Sequence, residues 1–336
     1  MENCSEIRIK KNSECFQLFI ISSCIGIGML GYLLMSRLFS EVLGAIYNSL
    51  DYETYKMLAE SSIFQNAVYI VYALLCVVLP FVAVYFIARS FTSVNIPFAK
   101  PKKGSGLVPV TIIGLGMCVL GNYASGLFTL ITQTLFSSTP TGAPSDITSA
   151  SQISFVGFFV SVFSTAVMPA LAEEFALRGV VMQSLRRFGD KFAVVISALV
   201  FSIIHGNFEQ IPFAFIVGLA LGYVVIRTDS IWAGVLLHFL NNFWAVCSEY
   251  MSYLVPENIH AMVYYLINTI ICILAIISAI YLYRRDVKSG ITCGAMEKPR
   301  CTISVWMKTV LVVYSPTFLI GAGFLIYNAL QNFVAV

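Results

Sequence analysis

Long apolar stretches separated by short polar ones run through the whole chain. A membrane-spanning helix needs about 20 predominantly apolar residues, and nine stretches approach or exceed that length. The fifth and sixth are short, are joined only by NFEQ, and could form one hairpin. The pattern predicts an all-α, polytopic membrane protein with about eight or nine transmembrane helices. The nine stretches are residues 16–37, 64–88, 107–136, 153–185, 192–207, 211–227, 231–248, 259–283 and 305–333.

Composition agrees with this pattern. Hydrophobic residues make up 58% of the 336 residues and charged residues only 11%, whereas soluble domains carry about 25% charged residues. The mean hydropathy is +0.85. We therefore expect membrane lipids as partners and no sizeable soluble domain. A net charge of +3 is too small to indicate a nucleic-acid partner.

The chain begins with basic residues and then an apolar run. Arg8, Lys10 and Lys11 precede residues 16–35, a run longer than the apolar region of a signal peptide. It is predicted to be the first membrane helix. The nine cysteines include no CxxC pair, which favours small apolar side chains over a disulfide framework or metal cluster.

Basic residues alternate between the ends of the predicted helices. Eighteen of the 20 Lys and Arg residues fall at one set of ends, and only Arg37 and Lys56 fall at the other. By the positive-inside rule, the N-terminus is predicted to be cytoplasmic and the C-terminus outside. The basic ends are residues 8–11, 89–103, 178–191, 227 and 284–308.

A polar segment divides the chain. The sequence SSTPTGAPSDITSASQ, residues 137–152, is predicted to be an external loop. We expect three N-terminal helices and this loop in residues 1–152, a core in 153–285, and a cytoplasmic loop with a last helix in 286–336. Within the core, GLALG at 218–222 predicts close helix packing.

Two adjacent acids and a base follow an uncharged run. Glu173, Glu174 and Arg178 come just after residues 153–172, and a charge at membrane depth is costly and usually functional. Glu174 and Arg178 have the favourable i,i+4 order, so Arg178 is predicted to hold Glu174. Glu173, which points elsewhere, is left for another task. Pro169, one turn earlier, removes a backbone hydrogen bond and predicts a kink.

Two more polar motifs lie in later apolar helices. One is FSIIH, with Phe201 and His205, and the other is HFLNN, with His238 and Asn242. His238 and Asn242 share a helix face through their i,i+4 spacing, whereas Asn241 is expected to face away.

The turn at residues 186–191 relates the first two motifs. If the helices on its two sides are antiparallel about residue 189, Glu173 lies opposite His205 to within about 3 Å of helical rise. His238 must then come from a helix packed beside them.

This arrangement suits hydrolysis of an amide. A carboxylate beside an imidazole can activate water, and His238 with Asn242 could polarise a carbonyl and stabilise an oxyanion. Alternatively, Glu173, His205 and His238 could bind one divalent metal such as zinc, with an open position for water. There is no HExxH motif, and the residues leave both possibilities open.

Other classes of function compete with an enzyme. Buried acids and histidines could tie helices together in a non-catalytic scaffold or immunity protein. A transporter is less favoured, because no pathway of repeated polar helix faces is visible. The third histidine, His260, near a helix end, is interpreted as an ordinary surface or interface residue.

The order EExxxR, FxxxH, HxxxN resembles the CPBP family of intramembrane proteases. This family includes CAAX prenyl protease 2 (the type II CAAX endopeptidases), lysostaphin-resistance-like proteins and bacteriocin-processing or self-immunity proteins. The resemblance covers roughly residues 155–285. Each motif is weak alone, but the three in order are specific.

The resemblance implies a role for each matched residue. Glu173 and His205 match the water-activating pair, His238 and Asn242 match the oxyanion side, and Glu174, Arg178 and Phe201 would support them. It implies a peptidase acting on a membrane-associated peptide or a CAAX-like, lipid-anchored protein tail. Family members are named metalloproteases, although a metal-independent glutamate mechanism has also been argued for them.

Overall fold

The computed structural model describes residues 4–136, 154–289 and 301–334, and within these ranges the chain is mostly helical and contains no strand, the longest non-helical link being residues 90–106. Three stretches depart from α-helix as π-helical turns, at Ala73–Val78, Val162–Val167 and Glu174–Val181. The α-helices are α1 (Cys4–Ser49), α2 (Tyr52–Glu60), α3 (Ser62–Tyr72), α4 (Leu79–Arg89), α5 (Leu107–Phe136), α6 (Phe155–Ser161), α7 (Met168–Glu173), α8 (Met182–Leu185), α9 (Asp190–Ile204), α10 (Ile211–Thr228), α11 (Ile231–Leu254), α12 (Glu257–Lys288), α13 (Val305–Val313) and α14 (Pro316–Val334).

The expectation of an all-α, polytopic membrane protein is confirmed. Seven helical runs in the described part of the chain are long and apolar enough to cross a membrane, and α13 with α14, bent by 71°, makes an eighth. The remaining predicted stretch, the fifth (192–207), corresponds to α9. It has only 15 residues, or about 22 Å, which is less than the roughly 30 Å of a bilayer core.

The last two helices run beside the first in the same direction. Glu14 accepts hydrogen bonds from Thr302 at 2.8 and 2.7 Å, and Ser23 lies 3.0 Å from Ser315 through their hydroxyl oxygens. Further along, a Cβ on Gly26 would lie 2.2 Å from a backbone atom of Phe318. The start of α1 and the end of α14 therefore lie at opposite ends of the bundle. This arrangement agrees with an odd number of passes, and the count of nine, with α9 as one of them, stays a prediction.

Helix α10 packs closely on α9. A Cβ on Gly218 would lie 2.8 Å from the Cα of Ala198, and one on Gly222 would lie 2.9 Å from a methyl group of Val194. The close packing predicted from GLALG is confirmed. It fixes the depth of α9, and so the depth of the histidine at its C-terminal end.

The basic helix ends meet at one end of the bundle, called here the basic end. Asp229 pairs with Lys102 at 2.8 Å and with Arg186 at 3.6 Å, and Arg227 pairs with Asp286 at 2.6 Å. The alternation of charge thus reflects real proximity, whereas the side of the membrane on which this end lies stays a prediction. The predicted external loop 137–152 falls outside the described residues, and the division of the chain into 1–152, 153–285 and 286–336 also stays a prediction.

Candidate active site

The helix that carries the two acids is wound irregularly on both sides of them. Helix α7 ends at Glu173 and lies between the π-helical turns Val162–Val167 and Glu174–Val181. Pro169 follows the first turn directly and cannot donate a backbone hydrogen bond. A π-helical turn, a feature frequent at functional sites, thus precedes Pro169, and the kink expected at Pro169 itself stays a prediction.

Glu174 and Arg178 form a fully buried ion pair, as their spacing predicts. Arg178 Nη1 lies 2.9 Å from Glu174 Oε1, and both side chains have zero exposure. The same Oε1 lies 3.1 Å from Nδ1 of His238. Because a buried charge needs a partner, this pair fixes the orientation of the His238 ring.

Glu173 points into open space instead. Its carboxylate is 24% exposed, and its Oε2 lies 3.9 Å from Nε2 of His238. His238 is therefore placed between two acids, with Nδ1 facing Glu174 and Nε2 facing Glu173. The sequence spacing placed His238 beside Asn242 and did not indicate that His238 approaches the two acids.

His205 ends α9 and lines the same cavity as Glu173. Its Nδ1 lies 2.7 Å from the carbonyl oxygen of Phe201, and since a carbonyl only accepts, Nδ1 carries the proton. Nε2 is then the basic nitrogen of the ring. The predicted meeting of Glu173 and His205 across the turn is consistent with their shared cavity.

Phe201 contacts all three motifs. Its ring centroid lies 4.6 Å from that of His205 and 5.9 Å from that of His238, both edge-on. The guanidinium of Arg178 lies 4.3 Å from the same centroid, a cation–π distance. Phe201 is thus the apolar wall against which the polar groups are placed.

Asn242 and Asn241 both line the cavity. Asn242 donates to the carbonyl oxygen of Thr165 at 2.9 Å and accepts from Asn241 Nδ2 at 3.0 Å. The expectation that Asn241 faces away is wrong, because the cavity is wide enough to reach two adjacent positions of α11.

The cavity has a volume of about 830 Å³ and takes residues from both halves of the chain. The sequence motifs missed many of its polar wall residues. The only signal for them is a lone polar residue in an apolar helix, which does not say which way it points. These missed residues are Gln65, Asn66, Tyr69, Asn122, Ser125, Ser161, Ser164, Thr165, Gln210 and Tyr250.

The possible metal site was tested on the geometry. Among the described residues, no group of three or more His, Cys, Asp and Glu side chains is placed to hold one ion. Glu173 and His238 approach each other, and the bond of Nδ1 of His238 to Glu174 leaves its Nε2 directed at Glu173, but no third ligand in the described part of the chain completes the group. Glu173, His205 and His238 as arranged here therefore do not form the three-ligand set of a catalytic zinc.

Comparison with known proteins gives one result. Residues 155–244 match the family model of the type II CAAX prenyl endopeptidases, Rce1-like. No curated protein and no solved structure matches the chain. The matched segment contains all three motifs, from Glu173 to Asn242, and the resemblance inferred from them is confirmed. The part of this multi-pass membrane protein from residue 155 to residue 244 is therefore similar to the Rce1-like type II CAAX prenyl endopeptidases, a family of peptidases.

Proposed function

We propose that this protein is an intramembrane endopeptidase that hydrolyses a peptide bond with water activated by Glu173. One observation carries the proposal. The exposed carboxylate of Glu173 lies in a large cavity together with His205, and beside a histidine that a buried ion pair holds in place.

The reaction follows from these positions. Glu173 accepts a proton from a water molecule, whose oxygen forms a bond to the carbonyl carbon of the substrate. The tetrahedral intermediate collapses with cleavage of the C–N bond. Glu173 returns the proton to the leaving nitrogen, so the products are one carboxylic acid and one amine. His205, through Nε2, orients the attacking water.

His238 serves the oxyanion. Its Nδ1–H is donated to Glu174, so the Nε2 that faces the cavity takes up a proton to act as a donor,. Asn242 holds α11 against the helix that carries Glu173, because its side-chain amide donates a hydrogen bond to the carbonyl oxygen of Thr165.

The substrate follows from the surroundings of the site. A cavity of about 830 Å³ within a helical bundle suits an extended peptide segment that arrives from the membrane, such as a membrane-associated peptide or the tail of a lipid-anchored protein. Membrane lipids surround the bundle. Whether the substrate tail carries a prenyl group is tested by comparing prenylated and unprenylated peptides.

A cleavage assay in detergent tests the proposal. A panel of peptides, prenylated and not, is incubated with wild type, Glu173→Gln and His205→Ala. We expect loss of activity in both variants with nearly unchanged thermal stability. Glu209→Gln and His260→Ala are the matched controls, because both residues lie outside the cavity wall.

The same variants separate an enzyme from a non-catalytic scaffold. Glutamine keeps the shape of Glu173 but cannot accept the proton. If activity persisted in both Glu173→Gln and His205→Ala, this mechanism would be wrong. If no peptide were cleaved and the cellular phenotype were unaffected by Glu173→Gln, a scaffold or immunity protein would be favoured.

A further inference from the structure

A second, smaller cavity shares a wall with the large one. Its volume is about 180 Å³, and four residues line both cavities, namely Tyr69, Glu173, Phe201 and His205. A peptide whose reacting carbonyl lies beside Glu173 therefore has this side cavity within reach of a neighbouring side chain. The remaining wall consists of Tyr32, Tyr72, Val77, Phe81, Leu177 and Ile204.

Two of the three tyrosine hydroxyls of the side cavity, those of Tyr32 and Tyr72, are engaged in hydrogen bonds. The hydroxyls of Tyr32 and Tyr72 lie 3.1 Å apart, and that of Tyr32 also donates to the carbonyl oxygen of Ile204 at 3.3 Å. Ser36 lies 3.2 Å from the hydroxyl of Tyr72. Because these hydroxyls bind one another and the backbone, the side cavity offers a guest mainly rings and aliphatic groups.

The rings are also held in place. Tyr72 packs edge-on against Phe39 with centroids 5.6 Å apart. Phe81 is fully buried, and Val77 is 9% exposed. A side cavity with walls fixed in this way is pre-formed, so a guest does not have to order it on binding.

We propose that this side cavity is a specificity subsite that takes one uncharged side chain, of about leucine to phenylalanine size, next to the scissile bond. The inference rests on the proposed peptidase function and adds to it the identity of a substrate residue. An apolar cavity of about 150 Å³ binds benzene, so 180 Å³ suits a phenyl ring or a branched aliphatic group. Glu173 and His205 are part of the same wall, so an acidic side chain would be repelled by the carboxylate of Glu173 and a basic one would pair with the group that has to accept the proton from water.

Half of the subsite wall, five of its ten residues, comes from the N-terminal half of the chain. Tyr32 lies on α1, Tyr69 and Tyr72 on α3, Val77 in a π-helical turn and Phe81 on α4. All five lie outside the matched segment 155–244. The matched segment would then supply the reacting groups, and the N-terminal helices would select the substrate.

The test varies both the peptide and the subsite. Peptides carry Ala, Leu, Phe, Trp or Lys at each position flanking the cleaved bond, and kcat/KM is measured for each. We expect wild type to prefer Leu or Phe over Trp and Lys at one position. Val77→Phe narrows the side cavity and should lower kcat/KM for the Phe peptide about tenfold relative to the Ala peptide, since small changes in pocket volume have effects of this order. Val77→Ala widens the side cavity and should instead raise kcat/KM for the Trp peptide relative to the Ala peptide.

Leu74 provides the control. It lies in the same π-helical turn but is 51% exposed and lines neither cavity, so Leu74→Phe and Leu74→Ala should leave the preference unchanged. If cleavage depends on Glu173 while neither Val77 variant alters the side-chain preference, this outcome would overturn the proposed subsite but not the proposed peptidase function. Absence of cleavage of every peptide by wild type would overturn both. If Val77→Phe fails to fold, the smaller Val77→Ala change decides.

Discussion

One oxygen of Glu174 serves both Arg178 and His238. Oε1 lies 2.9 Å from the guanidinium of Arg178 and 3.1 Å from Nδ1 of His238. The pair therefore supports the active-site histidine as well as joining two turns of one helix. Its effect on stability can be separated from its effect on the reaction.

Arg178→Ala should destabilise the protein strongly. It leaves Glu174 as an unpaired buried charge, which costs about 3–5 kcal/mol, and the midpoint of thermal unfolding in detergent should fall. The double variant Glu174→Gln with Arg178→Met should recover part of this loss, because neither member is left as an unpaired ion. If Arg178→Ala kept its stability while losing all turnover, Arg178 would belong to the chemistry instead.

Gly234→Ala should disturb the site from the neighbouring helix. A Cβ on Gly234 would lie 2.6 Å from a methyl group of Val225 and 2.8 Å from Oε2 of Glu174. Overpacking of this kind costs about 1–3 kcal/mol, and the displaced carboxylate should lower activity. Gly126→Ala, which meets nothing within 4 Å on α5, is the control and should be neutral or slightly stabilising. Equal thermal midpoints and equal kcat for the two variants would contradict this account.

Peptidase activity should survive a strong chelator. The described residues hold no three-ligand group, and the proposed mechanism takes its base from the carboxylate of Glu173. Metal content of the purified protein should be measured beside its activity with and without chelator. Stoichiometric zinc that is lost with activity and restores it on return would overturn the expectation and assign Glu173, His205 and His238 as ligands.

The predicted membrane orientation can be tested by labelling single cysteines in a cysteine-free background. Lys56, Lys103 and Gln331 are all exposed. With the N-terminus cytoplasmic and nine passes, an impermeant maleimide applied to intact cells should label Lys56→Cys and Gln331→Cys but not Lys103→Cys. The reverse labelling pattern would show that the membrane orientation is opposite to the predicted one. Labelling of only one of Lys56→Cys and Gln331→Cys would mean an even number of passes.

The local chemistry of the site followed from the sequence, because spacing along one helix fixes which side chains meet. The Glu174–Arg178 pair needed only an i,i+4 rule, and the shared depth of Glu173 and His205 needed only a short turn. The contact of His238 with both acids depends on how α11 is rotated about its axis, which its own sequence does not state. The side cavity needed the packing of α1, α3 and α4 on the core, so none of its tyrosines could be identified from spacing.

The π-helical turns on both sides of Glu173 make this part of the chain tolerant of a change in its length. A π-helical turn accommodates one residue more than the α-helical turn it interrupts, so it absorbs a step that would otherwise change the direction of every later side chain by about 100°. The loss of a single residue from Val162–Val167 would convert this turn to α-helix and leave Glu173 directed at the cavity. The same loss within the α-helical segment Met168–Glu173 would turn Glu173 away, so the position of a one-residue gap decides whether a relative keeps this active site.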